Sequence, residues 1–545
     1  MGGKRYDEVV RSFRWNDVIA ELGWAGCDGV NLAETIIDRQ AQGRRQDKTA
    51  LLWIGPDGQE QRTSYRALSE SSSRFASLLT RLGVRKGDRV ATLMPRVPET
   101  FAAMLGILKA GAVLVPIFAG FGPDSVRFRL RHSGARLLCT HHDHRDQVPD
   151  GAVEQIVCVS SPGGVIRSGD IDFRVAMAGE AASFTPVPCR RDEPAAIIYT
   201  SGSTGQPKGC VLAINLLAAI WPYIRYGVDL REDEDLFWPT GDPGWGYGLC
   251  CYLPAFAAGA TVLCVQRNAS AQSCLDVLAR HEVTNLATTP TLLRSLMALG
   301  EAAVRDARAR VRVISSCGEP LNGEVVEFFQ RVWGTIPMDH FGATEFALPI
   351  GNYNAIEMAV KPGSMGLACP GYEMAVVNES GRELAVGEVG LMGRRSNEDS
   401  LYWSRYWNDE AASAEALRGG WICTGDLARR DGDGYFWFEG RSNDIIKSSG
   451  YRIGPFEVES AILKHAGVAE AAVVGKPDAV RGEIVKAFVV LKPSVPASLA
   501  LADEIVERVK RDLGRHQYPR EIEFIGELPK TQTGKIQRFL LRERA

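Results

Sequence analysis

One stretch concentrates the residue types that hold a phosphate: Tyr199-Thr-Ser-Gly-Ser-Thr-Gly-Gln-Pro-Lys-Gly209. Its small residues let backbone N–H groups approach phosphate oxygens, its hydroxyls add donors, and Lys208 supplies a point charge. The apolar run Ala195 to Thr200 predicts a buried strand that delivers the chain into this loop. A Walker A loop needs Gly-Lys followed by Ser or Thr; here Lys208 lies between Pro207 and Gly209, so that reading fails. A plain surface turn is unattractive, because such a group of glycines, hydroxyls and a Pro-Lys pair recurs nowhere else in the chain. The spacing by itself gives an anion-binding loop.

The elements that must position it read as α/β. A helical period over Ser64–Leu82 leads into a strand at Arg89–Met94, a helix at Glu99–Ala110 and a strand at Ala112–Pro116. Comparable units recur around Ala195–Thr200, Leu275–His281, Asn285–Thr289 and Val311–Ser316. After Gly440 the scale changes to a compact α+β set: helices at Phe456–His465 and Leu501–Leu513, and strands at Val468–Gly475, Ile484–Lys492 and Glu521–Ile525. We expect a large N-terminal domain of several α/β subdomains over residues 1–440 and a small C-terminal domain over residues 441–545.

Composition bounds the rest. The chain has 545 residues, 45% hydrophobic and 24% charged, the balance of a globular protein of several domain-sized units. With 63 basic and 66 acidic residues the net charge is −3, which argues against a nucleic-acid or anionic-lipid surface. The 12 cysteines show no C-x-x-C spacing and read as reduced, mostly buried thiols of a cytoplasmic protein. The N-terminus has no apolar signal core, and the charge-free run Tyr247–Val265 contains Gly248, Pro254 and Gly259, so it reads as buried helix, turn and buried strand rather than a membrane span. Cys139-Thr-His-His-Asp-His144 with Asp146 could ligate metal, but it reads as a solvated loop with chance histidines.

The loop string resembles the signature of the adenylate-forming superfamily, and several further motifs in the same order carry the resemblance from about Asn31 to the C-terminus. Closest in pattern is the branch of acetyl-CoA and medium-chain acyl-CoA synthetases. The resemblance implies that Thr200, Ser201, Gly202, Ser203, Thr204, Gly205 and Lys208 grip the phosphates of ATP. Ser315-Ser-Cys-Gly-Glu-Pro-Leu-Asn322 places Gly318, Glu319 and Pro320 on the adenine side. Asp339 and His340-Phe-Gly-Ala-Thr-Glu345 resemble the nucleotide segment, with Phe341, Gly342 and Ala343 at the base, Thr344 near the α-phosphate and Glu345 on Mg²⁺. Phe341 replaces the usual Tyr or Trp, and Ala343 replaces a common Gln. In Gly420-Trp-Ile-Cys-Thr-Gly-Asp426 the aspartate matches the ribose ligand, and Arg441 matches an arginine on the nucleotide.

The same resemblance gives the C-terminal domain two roles. Lys535 matches the lysine that reaches the α-phosphate and carboxylate during adenylation. Lys447-Ser-Ser-Gly-Tyr-Arg-Ile-Gly454 resembles the loop along the pantetheine tunnel, with Ser449, Gly450 and Tyr451 beside CoA and Arg452 on the nucleotide phosphate. Arg481, Lys510, Tyr518, Pro519 and Arg520 fall at CoA-contacting positions, and Asn443 stands at the hinge about which the domain rotates. Trp245, in Asp242-Pro-Gly-Trp-Gly-Tyr-Gly248, borders the acyl pocket together with Gly342. Acetate enzymes carry Trp at the position of Gly342, so the expected acid is larger than acetate: medium-chain, branched, aromatic or alicyclic. Glycines 246 and 248 point the same way.

The expected activity is an acid–CoA ligase using ATP, Mg²⁺ and CoA, with Lys535, Thr344, Glu345 and Gly450 as its catalytic positions. Expected partners are the carboxylic acid, ATP and CoA, with no nucleic acid and no membrane span; a homodimer is left open. Two alternatives stand beside it. One loads a carrier-protein thiol; the other is a partial enzyme or binding protein that handles acyl-adenylate but adenylates poorly, supported by Ala343 and Asn443.

Overall fold

Apolar runs alternating with amphipathic helices bury their faces only by stacking in layers, and the chain does so around two large sheets. The computed structural model describes residues 4–200, 207–266, 270–307, 310–396, 403–442, 444–448, 451–478, 480–493, 495–513, 517–530 and 536–545. In chain order the site-bearing elements begin with strands β1 (Pro194–Thr200) and β2 (Lys208–Ala213), helix α1 (Gly246–Ala258), and strands β3 (Val313–Cys317), β4 (Pro337–Ala343) and β5 (Ala347–Gly351). Strands β6 (Trp403–Tyr406), β7 (Trp421–Arg430) and β8 (Phe436–Arg441) and helix α2 (Pro455–Leu463) complete them.

Residues 89–117 show how the sequence builds a layer. Strands Arg89–Leu93 and Val113–Ile117 pair in parallel across the helix Pro98–Lys109. Pro98 occupies the first turn, where its missing N–H costs nothing, and Gly111 leaves the helix at φ +68°. Among the described residues this layer is an eight-stranded sheet in which β1 continues the parallel strands, β2 turns back antiparallel and β6 forms the edge. The second layer has nine strands and is parallel from Thr49–Ile54 through to β4; β5 then returns antiparallel beside β4.

Strands β7 and β8 belong to a smaller antiparallel sheet that packs Phe436 and Ile422 against Phe346 and Ile350 of the second layer. The C-terminal unit is α+β as expected. Strands Val468–Asp478 and Gly482–Leu491 form a long hairpin that gains Glu521–Phe524 in parallel, and α2 and the helix Leu499–Asp512 cover it around Val458, Ile462, Ile505 and Val509. The charge-free stretch is helix α1, a left-handed Gly259 (φ +87°) and strand Thr261–Val265, all largely buried. Among the described residues no helix is long and apolar enough to cross a membrane. None of the 12 cysteines is in a disulfide, and only Cys27 is exposed.

A buried ion pair ties the first layer to the segment before it. Lys109 Nζ lies 2.7 Å from Asp38 Oδ1 and 2.9 Å from Ser73 Oγ, with the two charged side chains 1% and 8% exposed. Removing one partner strands the other charge in low dielectric, at a cost of about 3–5 kcal/mol. Lys109→Ala should therefore lower the unfolding free energy by about that amount in denaturant titration, and Asp38→Asn with Lys109→Met should recover part of it. A single variant as stable as wild type would contradict this.

Candidate active site

The phosphate loop is held as a hairpin. Thr200 ends β1 directly opposite Lys208, the first residue of β2, and Thr200 Oγ1 donates to the Lys208 carbonyl at 3.4 Å. Ser201, Gly202, Ser203, Thr204 and Gly205 lie outside the described residues, but the two strands fix where their loop begins and ends. Below it the Tyr199 hydroxyl is 2.9 Å from His132 Nδ1. On the open side of β2, β6 adds antiparallel with Cys210 opposite Tyr406, and the Trp407 N–H donates to the Gly209 carbonyl at 2.7 Å.

Tyr406 links this hairpin to the second layer. Its ring centroid is 5.2 Å from Lys208 Nζ, a cation–π distance, and its hydroxyl donates to Glu345 Oε1 at 2.5 Å. Glu345 lies in the tight turn between β4 and β5, where the Phe346 N–H donates to the Ala343 carbonyl and Ala347 takes φ +65°. Burial pushes the Glu345 carboxyl above its ordinary range, against which the Tyr406 hydroxyl bond pulls. Burial, with the Glu345 charge alongside, raises Tyr406 far above a free phenol, so it remains a donor. No motif names Tyr406; the one signal is an aromatic-rich strand, Trp403-Ser-Arg-Tyr406, that needs an edge to pair with.

The oxygen set suits Mg²⁺, which takes one or two carboxylates together with substrate phosphates and water. Glu345 is buried and, among the described residues, in no ion pair; the Arg441 charge offsets its burial only in small part. Thr344, half-buried beside it, supplies a hydroxyl.

Asp426 and Arg441 meet across β7 and β8. Arg441 Nε donates to Asp426 Oδ1 at 3.0 Å and Thr424 Oγ1 to Oδ2 at 2.5 Å. Asp426 is 5% exposed and Arg441 43%, so the carboxylate is set by its neighbours while the guanidinium reaches outward. The Asp426 charge, and more distantly that of Glu345, raises the Arg441 pKa. Glu319 is anchored too: both its oxygens accept from Thr291 Oγ1, at 2.8 and 2.7 Å, and Arg294 donates at 2.6 Å. Gly318 takes φ +101° before it, a backbone only glycine adopts easily.

Alternation along β4 divides the nucleotide segment. Phe341 and Ala343 face the small sheet, with Phe438 6.4 Å from the Phe341 ring. Asp339 is buried beside the Leu321 N–H, and desolvation raises its pKa well above a free carboxyl. His340 points the other way: its ring packs on Tyr223 at 5.0 Å and fills the space beside Gly227 and Gly351. A period of two sends the side chains of 340 and 341 to opposite faces.

The acyl segment comes to the same turn. Trp245 precedes α1 and packs on Phe118 and Phe121, and a Cβ on Gly246 would be 3.6 Å from Thr344 Oγ1. The buried Asp242 holds the segment, accepting from Arg96 Nε at 3.2 Å and the Gly244 N–H at 2.8 Å. Two glycines have a different explanation from open pocket space. A Cβ at Gly248 would fall 2.0 Å from the Asp242 carbonyl oxygen; at Gly342 it would fall 2.4 Å from the Ala347 carbonyl oxygen and 3.1 Å from Leu348. Both are close backbone approaches, and the space at Gly342 is already filled.

In the C-terminal unit two of the basic positions lie against one ring. Lys510 Nζ is 4.6 Å and the Arg520 guanidinium 4.9 Å from the Tyr518 centroid, while Arg481 and Arg520 both act on Asp478, which accepts from the Arg481 N–H at 2.8 Å. Pro519 lies buried between Tyr518 and Arg520. Lys535, Asn443, Ser449 and Gly450 lie outside the described residues; of Tyr451 and Arg452 the backbone is described, paired with Ser448 and Lys447. The histidine cluster is not a solvated loop. His141 ends a buried strand 3.1 Å from Ser161 Oγ, and burial pushes it down to about 4. His141, His142 and Asp143 bring potential ligand atoms within 4.8 Å of one another.

Two outcomes follow from these environments. Gly342→Ala should move the β4–β5 hairpin, lowering the thermal midpoint and slowing acid-dependent pyrophosphate exchange by a similar factor for every acid. Selective loss of the larger acids would instead make 342 a pocket wall. Burial pushes His340 down from 6.5 to about 4, so the unfolded ring takes a proton first. Its contribution to stability is full above pH 6.5 and is lost as pH falls towards 4, by up to about 3 kcal/mol. His340→Leu should thus shift acid unfolding, followed by circular dichroism, to lower pH; an unchanged acid limb would contradict it.

With this geometry in hand, the likenesses to known proteins run the length of the chain. The description "AMP-binding enzyme" matches residues 37–397, and "AMP-binding enzyme C-terminal domain" matches residues 457–535. The acetyl-coenzyme A synthetase of Bacillus subtilis (strain 168) is 36% identical over 545 aligned positions, covering 99% of this chain and 95% of its own. An acyl-CoA synthetase structure from Brucella canis is 38% identical with a TM-score of 0.79, covering 99% of each chain. A benzoate CoA ligase from Burkholderia xenovorans LB400 is 31% identical with a TM-score of 0.83, covering 94% of this chain and 100% of its own. Motif order, sheet architecture and whole-length similarity agree, and the chain belongs to the AMP-binding enzyme family.

Proposed function

We propose that this chain is an ATP-dependent, AMP-forming acid–CoA ligase acting on a carboxylic acid larger than acetate. The observation that carries the reading is the convergence of Lys208, Tyr406 and Glu345, which brings an ammonium over one ring and a buried carboxylate to its hydroxyl beside the start of β2. A triphosphate with a divalent ion needs both signs of charge within one site.

In the first step a carboxylate oxygen attacks the α-phosphorus of ATP, and pyrophosphate leaves with the electron pair of the broken P–O bond. Lys208 and the donors from Thr200 to Gly205 hold the phosphates, and Lys535 neutralises charge building on phosphorus. Thr344 donates to an α-phosphate oxygen, and Glu345 holds Mg²⁺, which when bound screens the charge on the departing pyrophosphate. Asp426 accepts from the ribose hydroxyls while Arg441 keeps it oriented, and Phe341, Asp339 and the Gly318–Pro320 turn receive the base. In the second step the CoA sulfur forms a bond to the acyl carbon, the thiol proton is released, and AMP leaves. Arg481, Lys510, Tyr518 and Arg520 meet the charged end of CoA; the grouping of Lys510 and Arg520 around the Tyr518 ring supports that role. Lys535 and Gly450 serve the two steps in turn as the domain after residue 440 rotates about Asn443.

For the acid, a bulky side chain at 342 does not fit this backbone, because even a Cβ there collides with Ala347. The tryptophan that shortens an acetate pocket would need a different hairpin, while Gly246 adds no side chain beside Thr344. Trp245, Phe118 and Phe121 supply an aromatic wall.

Exchange of labelled pyrophosphate into ATP, run with acetate and with medium-chain, branched, aromatic and alicyclic acids, tests the reading. Exchange should depend on the acid and favour one larger than acetate; no exchange with any of them, or a preference for acetate, would contradict it. Thioester formation should be faster with CoA than with a phosphopantetheinylated carrier protein. Lys535→Ala should cut exchange by about 100-fold or more yet largely spare thioester formation from supplied acyl-adenylate. Equal loss in both would refute the division of labour.

A further inference from the structure

We propose that Tyr406 is a positioning residue for the phosphate end of the nucleotide site, one side chain that fixes both the carboxylate and the ammonium between which the triphosphate and its cation fit. The inference rests on the ligase reading for the identity of that ligand.

The two groups come from separate layers. Lys208 opens β2 in the eight-stranded sheet, and Glu345 lies in the β4–β5 turn of the nine-stranded one. Their separation is therefore set by whatever spans the layers at that point. Tyr406 does so through two unlike contacts: its hydroxyl to Glu345 Oε1 at 2.5 Å, and its ring face 5.2 Å from Lys208 Nζ. Its backbone cannot drift. The Tyr406 N–H donates to Ser413 Oγ at 2.9 Å, Cys210 of β2 lies opposite it, and the next N–H, that of Trp407, bonds to Gly209 at 2.7 Å. Ser413 stands on the helix Glu410–Ala416, which Asp409 caps by accepting from the Ala412 N–H at 2.9 Å.

Packing alone does not account for the hydroxyl. Phenylalanine would fill the same volume, T-shaped against Trp403, without placing a polar atom in a site that is 8% exposed. The hydroxyl instead meets an ionisable acceptor, the stronger class of hydrogen bond, and with Oε1 engaged the carboxylate has one orientation in which to meet a cation. Tyr406 touches neither reacting atom; it acts through Glu345 and Lys208.

Tyr406→Phe keeps the ring and removes the bond to Glu345; Tyr406→Leu removes both contacts. Each is compared with wild type, as the full chain, in binding of Mn²⁺–ATP without acid (by electron paramagnetic resonance of the bound ion), binding of metal-free ATP, and thioester formation from synthetic acyl-adenylate and CoA. Tyr406→Phe should weaken Mn²⁺–ATP binding by about 10- to 100-fold, the worth of a hydrogen bond to a charged group. Metal-free ATP binding and the thioester step should stay within about 2-fold. Tyr406→Leu should additionally weaken metal-free ATP, because Lys208 loses its aromatic face. Wild-type Mn²⁺–ATP affinity in Tyr406→Phe would overturn the proposal, as would equal loss in all three measurements or failure of Tyr406→Phe to fold. Wild-type protein that binds Mn²⁺–ATP but shows no acid-dependent exchange would instead sink the ligase reading, leaving the binding comparison to decide on Tyr406.

Discussion

A buried carboxylate needs a partner where water is scarce, and Glu345 draws its partner from the other layer of the protein. Glu345 is 6% exposed and, among the described residues, has one side-chain hydrogen bond, from Tyr406. Holding it there takes a tight turn with a left-handed Ala347, a glycine at 342 to let that turn close, and an edge strand from the other layer to bring the hydroxyl. The phosphate hairpin is positioned by the same edge strand. The Tyr406–Glu345 contact joins the two layers in addition to the packing of Phe101 on Tyr252 and Phe256 and the Arg96–Asp242 ion pair.

The surroundings repeat the device at lower stakes. Asp426 is oriented by Thr424 and Arg441, and Glu319 by Thr291 and Arg294. In each case the acid is held by a hydroxyl and a guanidinium. Acceptors held in this way have their orientation fixed by the fold.

Much of the fold was legible because its signals are local. The strand into the phosphate loop, the unit over residues 89–117, the charge-free helix and strand, and the C-terminal α+β unit follow from periodicity and from Gly and Pro punctuation. Tyr406 was not legible, since its partner Glu345 is 61 residues earlier and edge pairing leaves no motif. Glycines misled in a particular way: sequence records the missing side chain at 248 and 342 but not whether a pocket or a carbonyl oxygen occupies the space. The opposite facing of His340 and Phe341 was legible, because alternation along Pro337–Ala343 sends neighbours to different faces. His141 looked solvated because its string is polar, yet it ends a buried strand.

An acyl-adenylate intermediate is the proposal on which the ligase reading rests, and the carboxylate oxygens report on it directly. With the preferred acid labelled with ¹⁸O in its carboxylate, a single turnover with ATP, Mg²⁺ and CoA should leave one ¹⁸O in the phosphate of AMP, because the attacking oxygen stays on phosphorus when sulfur displaces it. Mass spectrometry of the isolated AMP reads this out. Label appearing in inorganic phosphate with ADP as the nucleotide product, or no label in AMP at all, would contradict it.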